Sequence, residues 1–432
     1  LHDRFHVIEL LKKPGDTQYR GRDEEDKVLT QARRSTDASQ PTRWADGALY
    51  FGLAMMAGLA GGALAFLISR HGSDAHQSVN ALIHGYLLEL FVIPVALLGG
   101  LGRWLIPARL DVRGMATPRL DRGSWVVLTA AAFLLALGDR LGPVAIALSL
   151  GLWSVGAVGM ASGTIITVLN ERHTTFRDLS LFIWSQLLAS CTVILSAPLL
   201  AGALTRPLLH GFVSTQLLAQ LLDAFHLPLL GLALVSAFGA AADNLWRRNR
   251  AAQPVIVALC AVIAVGGPLL WAHDLLTGGG SSAWLEIVTL AAPAIGVMAL
   301  WCRLLWRESF AFTWPAIWSC GALLLLSAGW GLRLMPAGDA AAHSAVLFGA
   351  MFAVFAGYYS WLQTTSRLHI PRWFGLLHFS LCAIGTVCSL WPLVTLNRVG
   401  EGAMGLSLLC VLPLSANMLA YRRYGHGRRT VR

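Results

Sequence analysis

Apolar residues come in long blocks along this chain, and from residue 46 to residue 421 about twelve such blocks follow one another with short polar breaks. Approximate limits are 46–69, 80–107, 123–139, 143–168, 180–204, 212–240, 253–273, 283–304, 311–332, 340–363, 373–396 and 403–421. Each holds roughly 20 residues, enough to cross a hydrocarbon layer of about 30 Å as a helix. Gly or Pro punctuates many of the ends. The pattern predicts an all-α membrane protein, a bundle of about twelve transmembrane helices. No internal repeat, second soluble domain or low-complexity linker interrupts it, so three regions are expected: a polar cytoplasmic tail over 1–44, a helical domain over 45–421, and a basic cytoplasmic tail over 422–432. The first region lacks an apolar core of signal-peptide type.

Composition agrees with a membrane location. Of 432 residues, 56% are hydrophobic and 13% charged, and mean hydropathy is +0.60; a soluble globule could not hide that much apolar surface. The net charge of +10 could point to nucleic acid, but the bases lie between the spans, where membrane topology explains them. With a cytoplasmic N-terminus, only Arg70, Arg140, Arg206, Arg333 and Arg398 of the 33 Lys and Arg fall on the outer side. That asymmetry predicts an integral protein of a bacterial inner membrane with both termini inside. The seven cysteines lie in apolar runs with no C-x-x-C pair, which excludes a disulfide framework, a zinc site of that spacing and a covalently attached c-type haem.

Two histidines stand out by depth. His84 lies about four residues into the second run and His343 about four into the tenth, and both runs descend from the outer side. At about 1.5 Å per residue each is roughly 6 Å below the outer boundary. Histidines on separate helices at one depth can ligate one iron from opposite sides; equally, each could be an interfacial histidine bonded to a carbonyl or a headgroup.

The stretch HGYLLELFVIPVALLGGLGRWLIP, from His84 to Pro107, resembles the second helix of subunit I of the haem-copper oxidases. Similarity continues in family order. ALYFGLAMMAGLAGGALAFLISR resembles the first helix, GMATPRL the next inner loop and LWSVGAVGMASGTIITVLNERH the fourth helix. LSLFIWSQLLASCTVILSAPLLAGALT resembles the fifth, PLLWAHDLLTGG the end of the seventh, and AVLFGAMFAVFAGYYSWL the tenth. The resemblance implies a subunit I-like bundle in which His84 and His343 ligate a low-spin haem of b or a type. It also brings Arg70 near an arginine that contacts that haem and Arg398 near the arginines that hold haem propionates. Snorkelling to headgroups is the alternative for both arginines.

The same comparison removes much of the second centre. Ala341 stands where the family has the histidine of the high-spin haem, and alanine cannot ligate iron. His226, His273 and Asp274 stand at or near the three copper-ligand positions, a candidate remnant metal site, but Gly231 lies near the place of the cross-linked tyrosine. Copper is thus left without its usual ligand set. Met298 lies about where the membrane lysine of one proton channel would be, and Gly114 takes the place of the aspartate that opens the other. Asp223 and His226, three apart, share a helix face, and a hydrogen-bonded pair filling an abandoned cavity is the plainer reading.

Other polar positions carry plain readings. Glu89 points away from His84 round an ideal helix, is either paired, protonated or in contact with a partner subunit, and receives no role. His173, His369 and His378 fall at the inner side, out of reach of an outer-side haem, as solvent or packing residues. Trp271, Trp284, Trp330, Trp361 and Trp391 fall near span ends, as an interfacial belt would have them. The expected function is a membrane electron-transfer subunit within a larger respiratory or photosynthetic complex. Its partners would be other integral membrane subunits, the lipid bilayer and an outer-side cytochrome c or similar donor, and oxygen reduction is not expected of it. Its rivals are a divergent oxygen or nitric oxide reductase using His226, His273 and Asp274, and a haem-free structural subunit.

Overall fold

The computed structural model describes residues 40–71, 75–245, 252–277, 283–307, 313–333, 339–365, 370–390 and 394–425, to which all structural statements refer. The side chains of Arg70, Asp223, His226, Trp330 and Arg398 lie outside the described part, as do residues His369 and Trp391. Every long element is a helix: α1 Gln40–His71, then α2, then α3 Pro118–Ala136, α4 Pro143–Glu171, α5 Leu181–His210, α6 Thr215–Leu245 and α7 Gln253–Thr277. There follow α8, α9 Trp314–Arg333, α10 Asp339–Thr365, α11 Arg372–Leu390 and α12 Val394–Gly425. Two rods change winding along their length. α2 is α-helical over Ala75–Tyr86 and Gly102–Leu110 and π-helical over Leu87–Val92 and Val95–Leu101; α8 joins Ala283–Glu286 to Ala292–Arg307 through a π turn, Ile287–Ala291.

The expected all-α bundle is thus observed, with ends displaced: α1 starts at Gln40, α3 occupies Pro118–Ala136 where 123–139 was expected, and α12 runs on to Gly425. Eight of the described helices are long and apolar enough to cross a membrane, and α9 and α12 add the shorter apolar stretches Trp314–Gly329 and Gly402–Ser415. The protein is an integral membrane protein. Consecutive helices pack on each other, and α12 returns to α1. Because lipid competes equally for apolar side chains, close backbone approach has to supply much of the packing. It does so between α9 and α10, where a Cβ on Gly329 would meet Val346 at 2.8 Å and one on Gly349 would meet Leu326 at 2.9 Å. Helices α2, α6 and α10 touch one another in the interior.

Prolines lie inside spans as well as at their ends, and each lacks the N–H that would bond the carbonyl one turn back. Pro94 leaves the Leu90 carbonyl of α2 without its α-helical partner, and the Trp153 indole of α4 donates to it at 3.0 Å. Pro268 does the same to Ala264 in α7, and the Thr192 hydroxyl of α5 donates there at 2.8 Å. Neighbouring helices are therefore stitched where the prolines interrupt them. Trp153→Phe should strand the buried Leu90 carbonyl and cost about 1–3 kcal/mol, read as a lowered midpoint of thermal unfolding in detergent.

One charge within the second apolar run lies inside the bundle. Arg103 is 2% exposed and donates from Nη2 to Asp121 Oδ1 at 2.6 Å, from Nη1 to the Leu98 carbonyl and Thr164 hydroxyl, and from Nη2 to the Met160 carbonyl. Leu98 belongs to the second π segment, so the guanidinium also occupies a carbonyl of that irregular turn. Gly163 makes the space: a Cβ there would lie 2.5 Å from Asp121 Oδ1. The ion pair ties α2, α3 and α4 together.

Candidate functional site

Helices α2 and α10 run parallel, as the two descending runs predict. At their C-terminal ends Trp104 stacks on Trp361 with ring centroids 3.8 Å apart and planes within 6°, and Tyr358 lies beside Trp104 at 6.3 Å. Counting back from this pair, His84 is two residues farther along α2 than His343 is along α10. The two π segments of α2 absorb that difference, since each i→i+5 turn holds one residue more than an α turn. His343 itself meets α2 at Glu89, five residues beyond His84.

His84 is held in one orientation. Its Nδ1–H donates to the Gly61 carbonyl of α1 at 2.9 Å, because only a protonated nitrogen can bond a carbonyl oxygen. The neutral ring then carries its lone pair on Nε2. An imidazole with one nitrogen tied to a backbone carbonyl is the usual arrangement of a metal-ligating histidine.

His343 is held differently. Its Nε2–H donates to Glu89 Oε1 at 2.8 Å, with the carboxylate side chain 7% exposed and the imidazole 23% exposed. Glu89 was expected to point elsewhere round the helix. It lies in the first π segment, which turns less per residue than an α-helix, and its long side chain leans toward the helix N-terminus; together these bring its carboxylate to His343. The other oxygen, Oε2, is buried with no hydrogen-bond partner among the described residues.

The surroundings of this pair are apolar and less closely packed than the rest of the two helices. On α2, His84, Gly85, Leu88 and Val92 are half-buried at helical spacing, and from Ile93 to Pro107 every residue is buried. On α10, His343, Ser344, Leu347, Phe348 and Met351 form the matching half-buried stripe, and Phe352 to Tyr359 are buried. Each stripe carries one histidine and stops midway along its helix. Two imidazoles among apolar side chains suit a flat, largely apolar group held by nitrogen ligands, so these residue types fit a haem, with Glu89 as the group that would have to yield at His343.

Among the described residues the remaining candidates do not gather into a second centre. His273 is half-exposed on α7, with Nδ1 3.5 Å from Oδ1 of its neighbour Asp274; the side chain of His226, their expected partner, lies outside the described residues. Among those residues no group of three or more His, Cys, Asp or Glu is placed to hold a metal. Ala341 is half-buried on α10 two residues before His343, and Met298 is buried. His378, expected in solvent or packing, is fully buried, bonded through Nδ1 to the Tyr359 hydroxyl at 2.9 Å and packed on Trp318 and Phe355. Two tryptophans assigned to the interfacial belt are core residues, Trp271 at 0% and Trp361 at 2% exposure, while Trp284 is exposed. Sequence reasoning missed Gly61 and Glu89 as partners of the two histidines. A carboxylate in an apolar run was the available signal for Glu89; Gly61 offered none.

A helical membrane bundle whose parallel helices α2 and α10 each carry a half-buried histidine defines the class of the protein. Within that class the chain belongs to the family described as Cytochrome C and Quinol oxidase polypeptide I, which matches residues 46–334. It is 27% identical over 379 residues to cytochrome c oxidase subunit 1 of Cereibacter sphaeroides, covering 73% of this chain and 67% of that protein. It is 26% identical over 415 residues to the subunit of the same name from Pecten maximus, covering 80% of this chain and 87% of the other. The family match includes His84 and ends before His343.

Proposed function

We propose that the chain is an electron-transfer subunit carrying one low-spin haem, of b or a type, between His84 and His343. The observation that carries this reading is the orientation of His84, tied through Nδ1 to Gly61 with Nε2 left to bind. A haem held there supplies a one-electron couple. The protein's part is to fix both imidazoles on the two central helices, exclude water with the apolar stripes, and leave no coordination position for a substrate. Ala341, with no side-chain donor, supports an absence of oxygen reduction. The distribution of Lys and Arg supports a bacterial cytoplasmic membrane with both termini inside and the histidine end outward. A cytochrome c-like donor on the outer side and further integral subunits accord with the names of the relatives.

Reduced parent protein should be silent to carbon monoxide, and the haem retained by His343→Ala should acquire a carbon monoxide-sensitive band. Carbon monoxide binding by the parent would overturn ligation by two histidines. One observation favours a haem-free structural subunit instead: Glu89 already occupies the nitrogen of His343 that would face the iron. That reading predicts colourless protein.

A further inference from the structure

A hydroxyl inside a helix has a simple outlet, the carbonyl four residues back. Ser124, Ser154, Thr167 and Ser319 use it. On α5 the Thr192 hydroxyl reaches both its own helix and the Ala264 carbonyl of α7. Ser190, also on α5, is 0% exposed, and its Oγ has no hydrogen-bond partner among the described residues. One turn away Gln186 is equally buried, and neither Oε1 nor Nε2 is bonded among those residues. Side chains four apart share a helix face. A primary amide thus stands beside a hydroxyl, deep in the bundle, and the two do not bond each other.

What faces the amide is the backbone of α2. Helices α2 and α5 touch, and a Cβ on Gly102 would lie 2.9 Å from Gln186 Oε1. Glycine therefore leaves the amide the place that a larger residue would take. Around the same point stand Ile106 Cδ1 at 3.7 Å and the Leu97 carbonyl oxygen at 3.8 Å. That oxygen accepts from the Gly102 N–H, and a carbonyl oxygen can accept two hydrogen bonds. Burying an amide and a hydroxyl unserved costs free energy, which an apolar residue at either position would avoid. Buried polar groups end on protein or on ordered water, and a water needs two to four polar partners. Residues one turn apart have Cβ atoms about 5–6 Å from each other, a gap that one water molecule bridges where a direct bond does not form.

We propose that α2 and α5 enclose a bound water molecule, held by the Gln186 amide, the Ser190 hydroxyl and the Leu97 carbonyl. Being both donor and acceptor, water serves either end of the amide, accepts from the serine and donates to Leu97. It ties α5 to the part of α2 that the Arg103–Asp121 pair fastens to α3. The site is separate from His84 and His343 and stands whether or not they hold a haem.

Water-edited solid-state NMR of the isotope-labelled full-length protein in lipid bilayers tests it. The reference is the Trp153 indole N–H, 1% exposed and bonded to the Leu90 carbonyl. Magnetisation from water should reach the Gln186 amide several-fold faster than it reaches that indole. Gln186→Met, which keeps the length and removes the amide, assigns the resonance. Ser190→Ala removes one holder of the water, so the amide should lose much of its advantage over the indole; as the milder change it also identifies the Gln186 resonance by its shift, should the methionine variant fail to fold. Fast transfer to Gln186 that Ser190→Ala slows supports the proposal. Transfer no faster than to the indole overturns it, because the amide is then dry. Fast transfer that Ser190→Ala leaves unchanged also overturns it, since no water is then shared between the two side chains.

Discussion

His84→Ala should reduce the haem content of the purified protein to below about a tenth of the parent's. Loss of an outer partner of a metal ligand alone typically costs 10–100-fold in affinity, and here the ligand itself is removed. The effect on the haem-free fold should be small by comparison. His84 makes one cross-helix hydrogen bond, to the Gly61 carbonyl, and a single bond of this kind is worth about 1 kcal/mol. The loaded protein would lose the larger stabilisation that any tightly bound group confers on the folded state. His378→Ala is the matched control: His378 is also a buried helix histidine, but it bonds Tyr359, near the Trp104–Trp361 end of α10, and its removal should leave the haem spectrum unchanged. Pyridine-haemochrome quantitation of the three proteins checks both expectations. Equal haem in His84→Ala and parent would move the site elsewhere.

Arg103→Leu should be the most damaging single substitution to stability, at about 3–5 kcal/mol, because it leaves the Asp121 carboxylate buried without its cation. Both side chains are fully buried, so water cannot replace the guanidinium. A folded domain has only about 5–15 kcal/mol in reserve, and the variant should yield little folded protein. Asp121→Leu should behave similarly, stranding the arginine. The double variant Arg103→Leu/Asp121→Leu should recover much of the loss, since replacing a whole buried pair by apolar groups is often neutral. A double-mutant cycle on unfolding midpoints in detergent measures this, and purely additive losses would show that the two charges do not interact.

How far these features could be read in advance depends on what each one rests on. Helices over the apolar blocks follow from length and composition, since a segment in lipid must bond its own backbone. Their winding does not: apart from Glu89, Leu87–Leu101 is apolar throughout, so no periodicity distinguishes π from α. The cross-helix bonds to Leu90 and Ala264 were hidden because the signal, a proline, and its remedy, Trp153 or Thr192, are far apart in sequence. Arg103 carried no signal of its buried pairing because its partner Asp121 belongs to the next helix. Trp271 and Trp361 lie near span ends, as belt residues do, but face the bundle, and a span of uniformly apolar residues does not reveal which face is inward. His84 and His343 stood out because an imidazole in an apolar run is costly and the two stand at matching positions in their runs. Glu89 met the same criterion but was set aside on ideal α geometry, which its π segment does not follow.

The central claim is one haem between two histidines, and haem stoichiometry of the purified full-length chain tests it most directly, by pyridine haemochrome with a reduced-minus-oxidised spectrum. One haem per chain with a low-spin spectrum is predicted. Two haems would mean that a second iron site exists despite Ala341, and none would leave the protein a structural member of its family.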